Sequence, residues 1–148
     1  MDLPLPKDFS EFLKSLIDNK VRFLLVGGYA VVYHGYWRVT EDLDIWIPVE
    51  KTNASRVVEA LRQFGFDVTS LSEDLFLQEH QILRMGIAPV LIEIHTSITG
   101  GTFEECFKRR VDADIEGVVV PIISIDDLRR VKAAGRPKDL ADLDALKG

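Results

Sequence analysis

The sequence is poor in the residues that staple or anchor a chain. Cys106 is its one cysteine, so an internal disulfide and a cysteine-based zinc cluster are both excluded. Histidine is nearly as scarce. His34, His80 and His95 are too few for the histidine-rich metal cluster of a phosphohydrolase-like enzyme. No apolar run approaches the roughly 20 residues of a membrane span. The opening Met1-Asp2-Leu3-Pro4-Leu5-Pro6 lacks the basic region and long apolar stretch of a signal peptide. The expected location is cytoplasmic, with no membrane partner. Positive charge is also short, since 18 Lys and Arg face 24 Asp and Glu for a formal charge of −6. That balance argues against a protein that grips a long nucleic-acid backbone. A small anionic substrate carried in with its metal is compatible, because bound Mg²⁺ and nearby Lys and Arg make a site locally positive whatever the net charge.

What is present reads as one domain. The 148 residues are 47% apolar and 28% charged, ordinary values for a globular chain of modal domain size. There is no linker-like composition shift, internal repeat or low-complexity stretch. Asp8-Phe9-Ser10-Glu11 has the form of a capping box, followed by Phe9, Phe12, Leu13, Leu16 and Ile17 at helical spacing. A strand is expected over 21–26, a short helix over 28–34 closed at Gly35, and a second strand over 43–47 stopped by Pro48. Ala54, Val57, Val58, Leu61 and Phe64 mark an amphipathic helix ended by Gly65. Residues 66–68 are expected as a short strand, 72–77 as a loop or helical turn, and 81–85 and 90–95 as strands joined by a turn at 86–89. A short helix over 103–109 and a hairpin of 111–115 with 118–122 follow. Ser124 caps the next helix, ending at Gly135, and Pro137 opens a last helix over 137–147. The expected fold is α/β (α+β), a mixed β-sheet with flanking helices. It forms a single domain over 1–148, with a core from about 20 to 123 and a C-terminal helical pair from about 124 to 147.

The chemistry concentrates in Thr40-Glu41-Asp42-Leu43-Asp44-Ile45-Trp46-Ile47. Side chains alternate along a strand, so Asp42 and Asp44 share one face while Leu43, Ile45 and Ile47 enter a core. Two like charges on one face raise each other's pKa unless a cation lies between them. Mg²⁺ is typically held by one or two carboxylates plus substrate phosphates. Upstream, the apolar run 21–26 leads into Gly27-Gly28 and a helix, an arrangement able to hold a phosphate. The plainer readings are a tight turn at Gly27-Gly28 and a solvated strand start at Asp42 and Asp44. Glu93 sits in Val90-Leu91-Ile92-Glu93-Ile94-His95, an acid in an apolar strand that needs a cation or a donor. It is a candidate third metal ligand or general base, or else one half of a salt bridge to an arginine. His95 shares its face and is a candidate for positioning a substrate hydroxyl, against a structural role. Arg38, Thr40 and Lys132 are candidate phosphate contacts, with solvent-facing or packing roles as the alternative. Tyr29, Tyr36 and Trp37 could stack on a base or simply pack.

The combination Gly27-Gly28-Tyr29-Ala30, Arg38-Val39-Thr40-Glu41-Asp42-Leu43-Asp44 and Ile92-Glu93-Ile94 resembles the minimal nucleotidyltransferases of the DNA polymerase β superfamily. The run from Lys132 through Lys138, Asp139 and Asp142 is similar to the tails of bacterial members, which include aminoglycoside nucleotidyltransferases and abortive-infection toxin nucleotidyltransferases. The resemblance spans roughly residues 20–146. It implies transfer of a nucleoside monophosphate from an NTP such as ATP to a hydroxyl, with release of pyrophosphate. It maps phosphate binding onto Gly27 and Gly28, and a two-metal Mg²⁺ site onto Asp42, Asp44 and Glu93. The family often has Asp at the third acidic position and Gly-Ser at the glycine pair. Lys138 and Asp139 are carried over from the tail, with helix-orienting salt bridges as the alternative role. The acceptor is expected to be a small molecule, an RNA end or a protein hydroxyl. So short a core also suits a homodimer or a partner chain. A competing reading is a non-catalytic nucleotide-binding module with the same fold, for example an antitoxin or regulatory partner in a toxin–antitoxin pair.

Overall fold

In the computed structural model, which describes residues 3, 5–66, 69–87 and 89–134, the centre of the molecule is a six-stranded mixed sheet. In chain order the described elements are α1 (Lys7–Asp18), β1 (Leu24–Val26), α2 (Gly27–Tyr33), β2 (Asp42–Trp46), α3 (Lys51–Phe64), β3 (Ile82–Ile87), β4 (Val90–His95), α4 (Phe103–Lys108), β5 (Val111–Ile115), β6 (Val118–Ile122) and α5 (Ile125–Ala133). A single 3₁₀ turn covers Glu73–Phe76. The strand order is β3-β4-β2-β1-β6-β5. β2 runs parallel to β4 and β1 parallel to β6, while the β1–β2, β3–β4 and β5–β6 pairs are antiparallel. This is the expected mixed sheet with flanking helices. No helix among the described residues is long and apolar enough to cross a membrane.

The core follows from period. Leu43, Ile45 and Ile47 are fully buried, as are Ile92 and Ile94 on the neighbouring strand. α1 and α3 pack on each other, and α1 buries Phe9, Phe12, Leu13 and Leu16, each contributing about 1.5–3 kcal/mol relative to exposure. The opposite side of the sheet is only partly covered. Trp46 there meets the edge of Phe103 on α4, with ring centroids 5.7 Å apart. Beyond that contact the face stays open where Asp42 and Asp44 project.

Several boundaries differ from expectation, each for a local reason. The capping box at residues 8–11 does not form. Pro6 occupies the N-cap with no side-chain bond, its carbonyl accepts from Phe9 and Ser10 N–H, and Asp8 sits inside the first turn, where a negative charge favours the helix dipole. β1 begins at Leu24 rather than residue 21, because Arg22 bonds to a side chain instead of a strand. Its N–H donates to Asn53 Oδ1 at 2.7 Å and its carbonyl accepts from Asn53 Nδ2 at 3.1 Å. The hairpin turn expected at 86–89 is shorter, since Gly86 and Ile87 pair with Leu91 and Val90. Within that ladder position 86 needs glycine, because φ there is +91 and a Cβ would lie 2.0 Å from the Val90 carbonyl oxygen.

Elsewhere the elements match. The 103–109 helix, the 72–77 turn and both strands of the β5–β6 hairpin appear, with positive φ at Glu116 and Gly117 as a two-residue I′ turn requires. Ser124 caps α5 by accepting from the Asp127 N–H at 3.1 Å. Phe66 lies outside any strand. Residues 67 and 68, Gly135 and the helix expected over 137–147 lie outside the described residues.

Candidate active site

Register brings the sequence's acids together. Across the sheet, Val26 on β1 pairs with Asp44 on β2, Asp44 with Glu93 on β4, and Glu93 with Arg84 on β3. Because β2 and β4 are parallel with Asp44 opposite Glu93, their even- and odd-numbered side chains emerge on one face. Asp42, Asp44, Glu93 and His95 are all half-buried there, against fully buried neighbours on the other face.

The glycine pair is fitted against this face. Gly27 adopts φ +71, and a Cβ there would meet Asp44 Oδ2 at 2.2 Å. At Gly28 a Cβ would meet Thr40 Oγ1 at 2.3 Å. Both positions therefore need glycine for space, and Gly27 also for its backbone angle. With seven residues, α2 has a small dipole. What its start offers is backbone N–H groups without intrahelical partners, beside a carboxylate.

Asp44, Glu93 and His95 form a compact group whose ligand atoms lie within 4.8 Å of one another. His95 Nε2 is 3.1 Å from Asp44 Oδ1 and 3.6 Å from Glu93 Oε2. Arg84 Nε donates to Glu93 Oε1 at 2.8 Å. Burial pushes the Glu93 carboxyl up from its usual range. A hydrogen bond with Asp44 and the Asp44 charge add to that, while Arg84 and His95 pull the other way. Without a cation the Asp44 charge opposes ionisation of Glu93, the condition a divalent ion relieves. Carboxylate oxygens are the donors Mg²⁺ takes, and an imidazole beside them extends the set to Mn²⁺ or Zn²⁺.

The group faces a cleft of about 460 Å³ that also takes in Gly27, Gly28, Arg38, Asp42 and Lys132. Lys132 is only 7% exposed, unlike a solvated surface lysine. Asp42 lines the cleft without joining the compact group, where His95 takes its place. Thr40 does not line the cleft; it packs behind Gly28 and donates at 3.5 Å to the Asp42 carbonyl. Tyr29 is buried edge-on against Phe9 at 5.7 Å. Its hydroxyl is pushed up by burial and by the Asp42 charge. Trp37 is 86% exposed. His34 is tied to the Ile123 carbonyl at 2.8 Å, away from the acids. Lys138, Asp139 and Asp142 lie outside the described residues. A larger open depression of about 780 Å³ beside Lys14, Phe64 and Ile87 contains none of these groups.

The salt bridge to an arginine offered as the alternative for Glu93 is present, but which arginine makes it, and the steric need for Gly27, escaped the sequence. Arg84 reaches Glu93 because the tight β3–β4 hairpin sets them opposite each other, a register the longer expected turn concealed. The steric reason for Gly27 is a contact with a residue on another strand, which only topology supplies.

The sequence profile of the family described as aminoglycoside-2''-adenylyltransferase matches residues 9–146. Among solved structures, the lincomycin-bound crystal structure of the lincosamide antibiotic adenylyltransferase LnuA aligns with 97% of this chain and 97% of that chain, with a TM-score of 0.54 and 16% sequence identity. At that identity the likeness shows the fold. No curated protein matches the sequence.

Proposed function

We propose that this chain, which belongs to the aminoglycoside-2''-adenylyltransferase family and is a nucleotidyltransferase of the DNA polymerase β-like superfamily, moves a nucleoside monophosphate, AMP by the family's description, from a metal-bound NTP to a hydroxyl of a small-molecule acceptor, and releases pyrophosphate. The observation that carries this is the seating of Gly27 on Asp44, with Glu93 directly across the β2–β4 pair and all three in one cleft.

In this reading the triphosphate lies along the N–H groups at Gly27 and Gly28, with Arg38 and Lys132 as counter-charges. Asp44 and Glu93, with Asp42 at the same mouth and His95 beside them, are the residues that would hold Mg²⁺. The ion when bound offsets triphosphate charge and stabilises charge developing on the leaving group. Glu93, directly across the β2–β4 pair from Asp44, accepts the proton of the acceptor hydroxyl. The hydroxyl oxygen bonds to the α-phosphorus as the bond to the bridging oxygen breaks, and pyrophosphate leaves with that electron pair. His95 fixes Asp44 through their hydrogen bond.

The test is transfer of label from α-labelled ATP, with Mg²⁺, to a panel of hydroxyl-bearing antibiotics, comparing the parent with Asp44→Asn. Transfer by the parent and a fall of about 10²-fold or more in the variant are expected. Equal transfer by both proteins, or none by the parent, would remove the assignment.

A further inference from the structure

Part of the cleft wall comes from two pieces of chain far apart in sequence. Ser97, Ile98 and Thr99, just beyond β4, line it together with Leu128, Val131 and Lys132 of α5. The two pieces meet at Gly100. This residue has φ +99, and a Cβ there would lie 2.9 Å from Ala134 Cβ, 3.1 Å from the Arg130 carbonyl oxygen and 3.2 Å from Val131 Cα. Two of those atoms are α5 backbone and the third is a Cβ, so no side-chain rotation relieves the contact. Glycine at this position lets the helix backbone come close.

The next residue ties the same helix to the strand that carries Asp44. A Cβ at Gly101 would lie 3.1 Å from Cys106 Sγ, 3.5 Å from Val131 Cγ1 and 3.7 Å from the Trp46 ring. Trp46 stands two residues beyond Asp44 on β2 and shares its face. Leu128 and Val131 hold α5 by its buried side. The depth of that side against residues 97–101 therefore sets how far Lys132, the next residue along the helix, reaches into the cleft. We propose that Gly100 is a positioning residue for the nucleotide. By admitting the α5 backbone it seats Lys132 where the ammonium serves the triphosphate, and any larger residue at 100 lifts the helix and withdraws that charge. The inference rests on the nucleotidyltransferase reading, in which Lys132 is a counter-charge to the phosphates.

The experiment measures the dissociation constant for ATP with Mg²⁺ by calorimetry on the full chain. Gly100→Ala and Ala134→Val are each made in the parent and in Lys132→Met. Both are expected to raise the constant about fivefold in the parent and to add nothing in Lys132→Met, the non-additivity of residues that act through one another. Gly65→Ala is the control for backbone strain, since Gly65 has φ +117 and nothing within 4 Å of a Cβ; it should leave the constant unchanged. Ala134→Val presses on the same contact from an exposed position of α5. It carries the test alone if thermal melting shows that Gly100→Ala does not fold. An unchanged constant in the folded variants, the same factor in the Lys132→Met background, or an equal loss in Gly65→Ala overturns the proposal. Those outcomes leave the nucleotidyltransferase reading standing, because the parent still binds ATP. A parent that binds no ATP removes both.

Discussion

Gly27 is packed so closely on Asp44 that a methyl group at position 27 would lie 2.2 Å from the carboxylate Oδ2. The contact ties the phosphate end of the cleft to its acids. Gly27→Ala must either move Asp44 or open the β1–α2 turn, and at φ +71 it adds a left-handed penalty of roughly 1–2 kcal/mol. A displacement of about 1 Å at a reacting group costs on the order of 10²-fold in rate. Nucleotidyl transfer should fall by about that factor while the circular dichroism spectrum is retained. Full activity in a folded Gly27→Ala protein would mean that Asp44 is not held by this contact.

Gly28 makes the same argument with a built-in rescue. Its Cβ would strike Thr40 Oγ1 at 2.3 Å and Thr40 Cβ at 2.7 Å, so Gly28→Ala should impair transfer. Removing the obstructing atoms with Thr40→Gly in the same chain should return part of the lost activity. Non-additivity of this size is expected only between residues in contact. Additive losses in the double variant would show that the two positions act separately.

Away from the cleft, Asp127 is the most buried acid among the described residues. Its side chain is 1% exposed, and it receives Nε and Nη2 of Arg109 at 3.0 Å each and the Arg130 guanidinium as well. Burial alone would raise its pKa. The hydrogen bonds from Arg109 and Ser124 and the two guanidinium charges outweigh burial and hold it below the usual carboxylate range. A depressed folded pKa means stability that is present above the unfolded value and lost as pH falls through the folded one. Asp127→Asn should cost about 1–3 kcal/mol near neutral pH, less than a fully buried pair because both arginines reach solvent. Thermal unfolding should show the gap between parent and variant closing below about pH 4. A gap that persists undiminished at pH 2 would assign the effect to packing instead.

The parts of this architecture that were legible in the sequence share one property: their cause is local. Alternation places Leu43, Ile45 and Ile47 in the core and Asp42 and Asp44 opposite, and the amphipathic period finds α1 and α3. What was hidden depends on partners distant along the chain. Asn53 replaces strand bonds at Arg22, which shortens β1. Arg109 and Asp127 meet because α4 and α5 are brought together by the β5–β6 hairpin between them. At the site, strand alternation and residue chemistry singled out Asp42, Asp44 and Glu93 and the family resemblance mapped the same three, but the compact group is Asp44, Glu93 and His95. Asp42 and His95 share a face with Asp44 and Glu93, and alternation alone cannot rank four side chains on one face by distance.

Lys132 offers the last test, because its burial invites two explanations. It lies on α5 beside Leu128 and Val131, 7% exposed, and lines the cleft. A lysine kept so far from water costs free energy unless its ammonium is matched by negative charge. A triphosphate in the cleft would add further negative charge to its surroundings. Lys132→Met keeps the apolar stem and removes the charge. If the ammonium serves the nucleotide, the dissociation constant for ATP should rise by about tenfold or more, whatever the thermal midpoint of the unliganded protein does. A purely architectural lysine gives a lowered midpoint with unchanged ATP affinity. Fluorescent-nucleotide titration and thermal melting on the same preparation distinguish the two.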